Sequence, residues 1–117
     1  MSGTTDEQDA ILDEVVLKRL RELRALVERP GENLLGDLLV LFERDSKARL
    51  EALRAASSPT ARKNAAHALK GSAANLGART VAALALAIER APEQPADVDA
   101  LAAAVEQAMV ALRARLG

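Results

Sequence analysis

His67 is the only histidine in this chain of 117 residues, and a lysine and a glycine follow it closely within a predicted helix. Lys70 is three residues further on and Gly71 four, so both lie one helical turn from His67 on the same side. A neutral imidazole is a nucleophile near physiological pH and can accept a phosphoryl group. A cation one turn away would offset the charge of the arriving phosphoryl oxygens. These residue types and their spacing therefore indicate phosphoryl chemistry at His67.

Helical phase predicts that His67 points away from the protein interior. On a wheel of about 100° per residue, Ala65, Leu69 and Leu76 lie about 160–200° from His67 and form the core side of the helix. A lone surface histidine is often an idle residue, so exposure alone does not define a site. The same exposed face carries three residues that we expect to contact a partner, namely Lys63, Asn64 and Ala74.

Gly71 is harder to explain on an idle surface. Glycine in a helix interior costs about 1 kcal/mol relative to alanine, and this chain uses alanine at nearly every other small helical position. Tight packing against a neighbouring helix would explain a glycine, but the wheel places Gly71 about 40° from His67, toward solvent. We expect this glycine to let another protein approach His67 closely.

The sequence around His67 lacks the groups of a self-sufficient catalyst. No carboxylate occurs within two helical turns of His67, and the chain has no cysteine. The segment from Gly71 to Gly77 lacks the lysine and hydroxyl residue of a phosphate-binding loop, so ATP binding of the kinase type is not expected. We therefore predict no metal site and no intrinsic cofactor, but a phosphoryl carrier whose partners supply metal and acid groups.

The charge is nearly balanced overall and uneven along the chain. Sixteen basic and seventeen acidic residues give a net charge of −1, which disfavours general affinity for nucleic acids or anionic membranes. No acidic residue occurs between Glu51 and Glu89, whereas five basic residues do. This segment suits an acidic partner or a phosphoryl group; chance clustering on a solvated face explains it equally well.

Alanine and leucine supply 45 of the 117 residues, against one phenylalanine and no other aromatic residue. Because both residues favour helices and β-branched residues are few, we predict an all-α protein. The helical spacing of apolar residues, together with capping and helix-breaking residues, predicts five helices, over about 13–28, 33–56, 59–76, 79–91 and 96–116. The predicted N-caps are Asp13 and Ser58, with Pro59 in the first helical position and Gly77 as a terminator. Helical spacing in the first segment relates Val16, Leu20, Leu23 and Val27.

Short connections favour antiparallel neighbours, so the second to fifth predicted helices form an up-and-down four-helix bundle. The first helix caps one end or lies along a groove. Residues 11–117 form this domain, and we expect residues 1–10 to be flexible. These first residues are polar and acidic, unlike a signal sequence, and no run of about eighteen apolar residues occurs. We expect a cytoplasmic monomer, and the Met1 start favours a free-standing carrier over the end of a hybrid kinase.

The residues from Ala66 to Ala78, AHALKGSAANLGA, resemble the signature of histidine-containing phosphotransfer (HPt) domains of bacterial multistep phosphorelays. The helix order from about residue 11 to 116 is similar too, and Leu38 to Phe42 resembles the family's leucine-rich helix ending in phenylalanine. The resemblance implies a four-helix bundle with an additional N-terminal helix. It also implies that His67 exchanges a phosphoryl group through Nε2 with a receiver-domain aspartate. Lys70 would stabilise that group, and Gly71 would admit the receiver.

The resemblance also concerns the partners. These would be response-regulator receiver domains and hybrid sensor histidine kinases, with the acidic pocket and Mg²⁺ in the receiver rather than in this chain. The chain would take a phosphoryl group from one receiver aspartate and pass it to another, without kinase activity of its own. Ser72 resembles the family's serine but lies toward the inner side of the wheel, so we assign it a structural role.

Two other classes of function remain open. The Ala/Leu seam of the last predicted helix suits a structural or adaptor bundle that binds a partner helix without phosphoryl chemistry, and its affinity would not depend on His67 or Lys70. A nucleic-acid-binding bundle has only the basic segment in its favour, since the chain has neither aromatic stacking residues nor a recognisable recognition helix. Transfer of phosphoryl label from a receiver to His67 would distinguish the carrier from both.

Overall fold

The computed structural model describes residues 11–116, and within this range the chain forms five α-helices and no strand. All five were predicted, with boundaries that differ by one or two residues. The predicted flexibility of residues 1–10 concerns a segment outside the described range. The helices are α1 (Glu14–Val27), α2 (Leu34–Ala55), α3 (Pro59–Asn75), α4 (Arg79–Arg90) and α5 (Val98–Leu116).

Side-chain caps explain where α1 and α3 begin. The carboxylate of Asp13 accepts hydrogen bonds from the amides of Val15 and Val16, which α1 leaves without a helical partner. The Ser58 hydroxyl accepts from the Ala61 amide in the same way, and Pro59 occupies the first turn of α3. The sequence therefore predicted these caps correctly.

Helices α2 to α5 form the predicted antiparallel bundle. Both α2 and α4 pack against α3 and against α5. Arg54, near the end of α2, pairs with Asp99 at the start of α5, and Glu43, in the middle of α2, pairs with Arg113 near the end of α5, so these two helices run in opposite directions. The core consists almost entirely of leucine, alanine and valine. The apolar side chains that α5 carries at spacings of three and four are buried in this core.

Helix α1 caps the end of the bundle where α3 leads into α4. The turn there depends on Gly77, which adopts a φ of +75° that favours glycine, and its carbonyl accepts a 2.7 Å hydrogen bond from the Asp13 amide. A bidentate pair between Arg115 and Glu14 ties the start of α1 to the end of α5. Of the two placements that the sequence left open for this helix, the end cap is the one observed.

The apolar residues of α1 differ widely in burial, although Leu20 packs against the core. Leu17 is fully buried, whereas Leu23 and Val27 are 54% and 58% exposed. The buried Leu17 lies in the half of α1 that the Asp13 amide and the Glu14–Arg115 pair tie to the bundle, whereas these two exposed residues lie in the other half. Within residues 11–116 we found no helix both long enough and apolar enough to cross a membrane.

Candidate functional site

His67 lies on the outer face of α3, with its side chain 69% exposed. Its neighbours Ala66 and Leu69 are fully buried, and Ala65 is nearly so. The bundle therefore holds the backbone of this segment tightly while leaving the imidazole in solvent. The exposure predicted from helical phase is confirmed.

Gly71 leaves open space beside His67. A Cβ atom added at this glycine would meet no atom of a neighbouring element within 4 Å. Close packing between helices is therefore not the reason for glycine at this position, and the access explanation stays a prediction. The three residues expected to contact a partner are also exposed on this face, namely Lys63, Asn64 and Ala74.

A carboxylate that the sequence did not associate with His67 completes the cluster. Glu89 lies near the end of α4, and its Oε1 atom is 3.1 Å from Nδ1 of His67. The same Oε1 accepts a 3.1 Å hydrogen bond from Nζ of Lys70, and Oε2 is 2.8 Å from that ammonium nitrogen. One carboxylate thus joins the imidazole and the ammonium group.

No carboxylate lies within two turns of His67 along α3, but the neighbouring helix α4 brings one next to it. Helices α3 and α4 form an antiparallel hairpin that turns at Gly77, so a residue ten positions before this glycine lies near one about twelve positions after it. His67 and Glu89 occupy these places. Hairpin register was the signal that could have revealed Glu89, together with its position at the end of the acid-free segment.

The hydrogen-bond donors around Glu89 favour its ionised form. The hydrogen bond from Lys70, and then that from His67, hold the pKa of the Glu89 carboxyl below its ordinary value, against the smaller opposing effect of burial. An ionised carboxylate only accepts hydrogen bonds, so the proton in its contact with His67 belongs to Nδ1. In the neutral imidazole, Nε2 then carries the free lone pair. The site therefore contains an exposed imidazole oriented for nucleophilic attack through Nε2.

Ser72 lies on the other flank of α3 and links it to α2. Its hydroxyl donates a 2.7 Å hydrogen bond to Oδ2 of Asp45, whose other oxygen is 3.3 Å from the Arg49 guanidinium. Beside this contact, an apolar groove of about 340 Å³ separates α1, α2 and α3. The side chain of Ser72 is thus directed at α2, away from the imidazole.

The described residues 11–116 contain no group of three or more histidine or acidic side chains that could hold a metal ion. The cluster consists instead of one nucleophile, one cation and one carboxylate on the surface of a helical bundle. This combination defines the class of protein, a helical bundle with a surface histidine suited to carrying a transferable group.

The model of the Hpt domain family matches residues 37–115, which is more than half of the chain. The chain therefore belongs to the family of histidine-containing phosphotransfer domains, which act in phosphorelays and interact with receiver domains and kinases. The match begins within α2, so α1 lies outside it. Comparisons with curated proteins and with solved structures gave no match.

Proposed function

We propose that this protein carries a phosphoryl group on Nε2 of His67, taking it from the aspartyl phosphate of one receiver domain and passing it to the aspartate of another. The observation that supports this role most strongly is the imidazole itself, which is 69% exposed and bonded through Nδ1 to Glu89. Group transfer between two proteins requires an accessible nucleophile whose other ring nitrogen holds the proton.

The transfer step is balanced without a proton leaving the ring. The Nε2 lone pair attacks phosphorus, the bond from phosphorus to the aspartyl oxygen breaks, and its electron pair returns to the aspartate carboxylate. The imidazole keeps its Nδ1 proton and gains a positive charge. Glu89 faces that charge, and Lys70, which binds the same carboxylate, would exchange it for the phosphoryl oxygens.

The receiver would dock over the exposed face of α3. Gly71 leaves space for its approach, and Lys63, Asn64 and Ala74 are exposed on the same helix. The acid-free stretch that contains this face favours an acidic receiver pocket. Mg²⁺ would be bound by that receiver, and hybrid sensor histidine kinases that carry receivers would be partners too.

Phosphotransfer profiling tests the role. The protein is incubated with each phosphorylated receiver domain of the source organism, and we expect acid-labile label on the wild type and none on His67→Gln. Glu106→Gln, at an exposed position of α5, serves as the control for an uninvolved substitution. Equal labelling of wild type and His67→Gln would refute the site, and no labelling by any receiver would refute the role.

The adaptor alternative loses the feature that motivated it. The apolar seam of α5 lies in the protein's own core, where Leu101 and Leu112 are almost completely buried. Binding of a partner helix with an affinity independent of His67 and Lys70 would nevertheless support an adaptor. A monomeric state and a cytoplasmic location stay predictions, to be checked by light scattering and by cell fractionation.

A further inference from the structure

In phosphorylated His67, the contact with Glu89 would involve the only ring nitrogen that can still hold a proton. With a phosphoryl group on Nε2, the only ring position left for a proton is Nδ1, and this atom lies 3.1 Å from the Glu89 carboxylate. The proton decides whether the ring can leave as neutral imidazole or only as the much poorer leaving group imidazolate. Glu89 is thus placed at the atom on which transfer out of the phosphorylated state depends.

We propose that Glu89 is a positioning residue that keeps Nδ1 of phosphorylated His67 protonated, so that the phosphoryl group stays transferable to a receiver at neutral and mildly alkaline pH. The proposal rests on the carrier role of His67. In the step concerned, a receiver carboxylate oxygen bonds to phosphorus and the Nε2–phosphorus bond breaks. Its electron pair returns to Nε2, and neutral imidazole leaves with its proton still on Nδ1.

The charged groups around the ring explain why Glu89 is needed. On α3, Lys63 and Lys70 lie one turn on either side of His67, and two cations disfavour a third positive charge. From α4, Glu89 opposes them with a carboxylate that is only 16% exposed. From α2, Asp45 reaches the far flank of α3 and is engaged with Ser72. Removing the Glu89 charge would leave the two lysines unopposed at the ring.

Small-molecule phosphorylation allows a test without a receiver. Phosphoramidate transfers its phosphoryl group to histidine with loss of ammonia, and His67 is the only histidine available. In ¹⁵N-labelled protein, NMR then follows one imidazole, and the pH at which phosphorylated His67 loses its Nδ1 proton is read directly. We compare the wild type with Glu89→Gln, which keeps a hydrogen-bond acceptor and removes the charge, and with Glu89→Asp.

We expect the titration midpoint of phosphorylated His67 to be lower in Glu89→Gln than in the wild type, because the variant lacks the carboxylate charge that faces Nδ1. Glu89→Asp should recover part of this loss, and Glu106→Gln, which removes the same charge from α5, should leave the midpoint unchanged. The rate of dephosphorylation should begin to fall at a correspondingly lower pH in Glu89→Gln. Circular dichroism confirms that each variant is folded.

Equal midpoints in wild type and Glu89→Gln would overturn the proposal, as would equal shifts in Glu89→Gln and Glu106→Gln. Failure of phosphoramidate to load wild-type His67 would overturn it too, because the exposed imidazole would then not be a competent nucleophile. The carrier role fails separately, when no receiver exchanges label with His67. A protein that loads from phosphoramidate and shows the shift, but exchanges with no receiver, would refute the carrier alone.

Discussion

Glu89 Oε1 lies 3.1 Å from Nδ1 of His67, although 22 residues separate the two in the chain. The contact assigns the ring proton to Nδ1 and leaves Nε2 as the nucleophile. It also shows that the acid-free segment of the sequence is not acid-free in space, because the residue that ends this segment folds back onto its centre. The positive character of the α3 face is therefore partly neutralised next to the imidazole.

Replacing Lys70 with alanine should slow phosphoryl transfer to His67 by about tenfold or more, because a cation that would stabilise the phosphoryl oxygens is lost. The measurement is the rate of label transfer from a phosphorylated receiver. Lys47→Ala is the matched control, because it removes an exposed lysine from α2, and it should transfer at the wild-type rate. Equal rates for the two variants would contradict the role of Lys70.

Gly71→Ala should raise the free energy of unfolding by about 0.5–1 kcal/mol, because alanine favours the helix and its methyl group meets no neighbour within 4 Å. Transfer from a receiver should become slower, and slower still for Gly71→Leu. Gly31→Ala provides the contrast, since a φ of +87° makes alanine strained there and should destabilise the protein without affecting transfer. Wild-type transfer rates in Gly71→Leu would refute the access argument.

Ser72→Ala should lower the free energy of unfolding by about 1 kcal/mol, through loss of the 2.7 Å hydrogen bond to Asp45 between α3 and α2. Denaturant titration measures the change, and Ser57→Ala at an exposed position should stay within about 0.5 kcal/mol of the wild type. Phosphoryl transfer by Ser72→Ala should be preserved. A folded variant that has lost transfer would mean that this serine does more than join two helices.

The pair between Glu14 and Arg115 should make stability depend on pH in acid. The hydrogen bonds from Arg115 hold the pKa of the Glu14 carboxyl below its ordinary value of 4.5. A lowered folded-state pKa gives stabilisation that is present above the unfolded value and lost as the pH falls through the folded one. Glu14→Gln should therefore be less stable than the wild type by about 1 kcal/mol or less at pH 7.

Thermal melts at pH 7 and at successively lower pH check this dependence, and the difference between wild type and Glu14→Gln should shrink once the pH drops below 4.5. The control is Glu22→Gln, since Glu22 is 3.9 Å from Lys18 and both are well exposed. A difference that stays constant down to strongly acidic pH would show that the carboxylate charge is not what joins α1 to α5.

Local sequence signals predicted the helices well because their causes are local. Asp13 and Ser58 cap helices through amides two or three residues away, and Gly77 terminates α3 by its own backbone conformation. The burial of Leu69 and the exposure of His67 follow from helical periodicity in the same manner. In α1, by contrast, Leu23 has helical spacing but is 54% exposed, because spacing alone does not say which part of a helix packs against its neighbours.

By itself, the sequence determined that this protein is a helical bundle, that His67 faces solvent and that Lys70 and Gly71 accompany it on one turn. These properties depend on residues within a few positions of one another. Only the tertiary structure decided that Glu89 binds His67 and Lys70, that Asp45 binds Ser72, and that α1 caps the bundle end. Those contacts depend on how antiparallel helices align, because a shift of one turn in register would move Glu89 about 5 Å along the helix axis, beyond hydrogen-bonding distance of the imidazole.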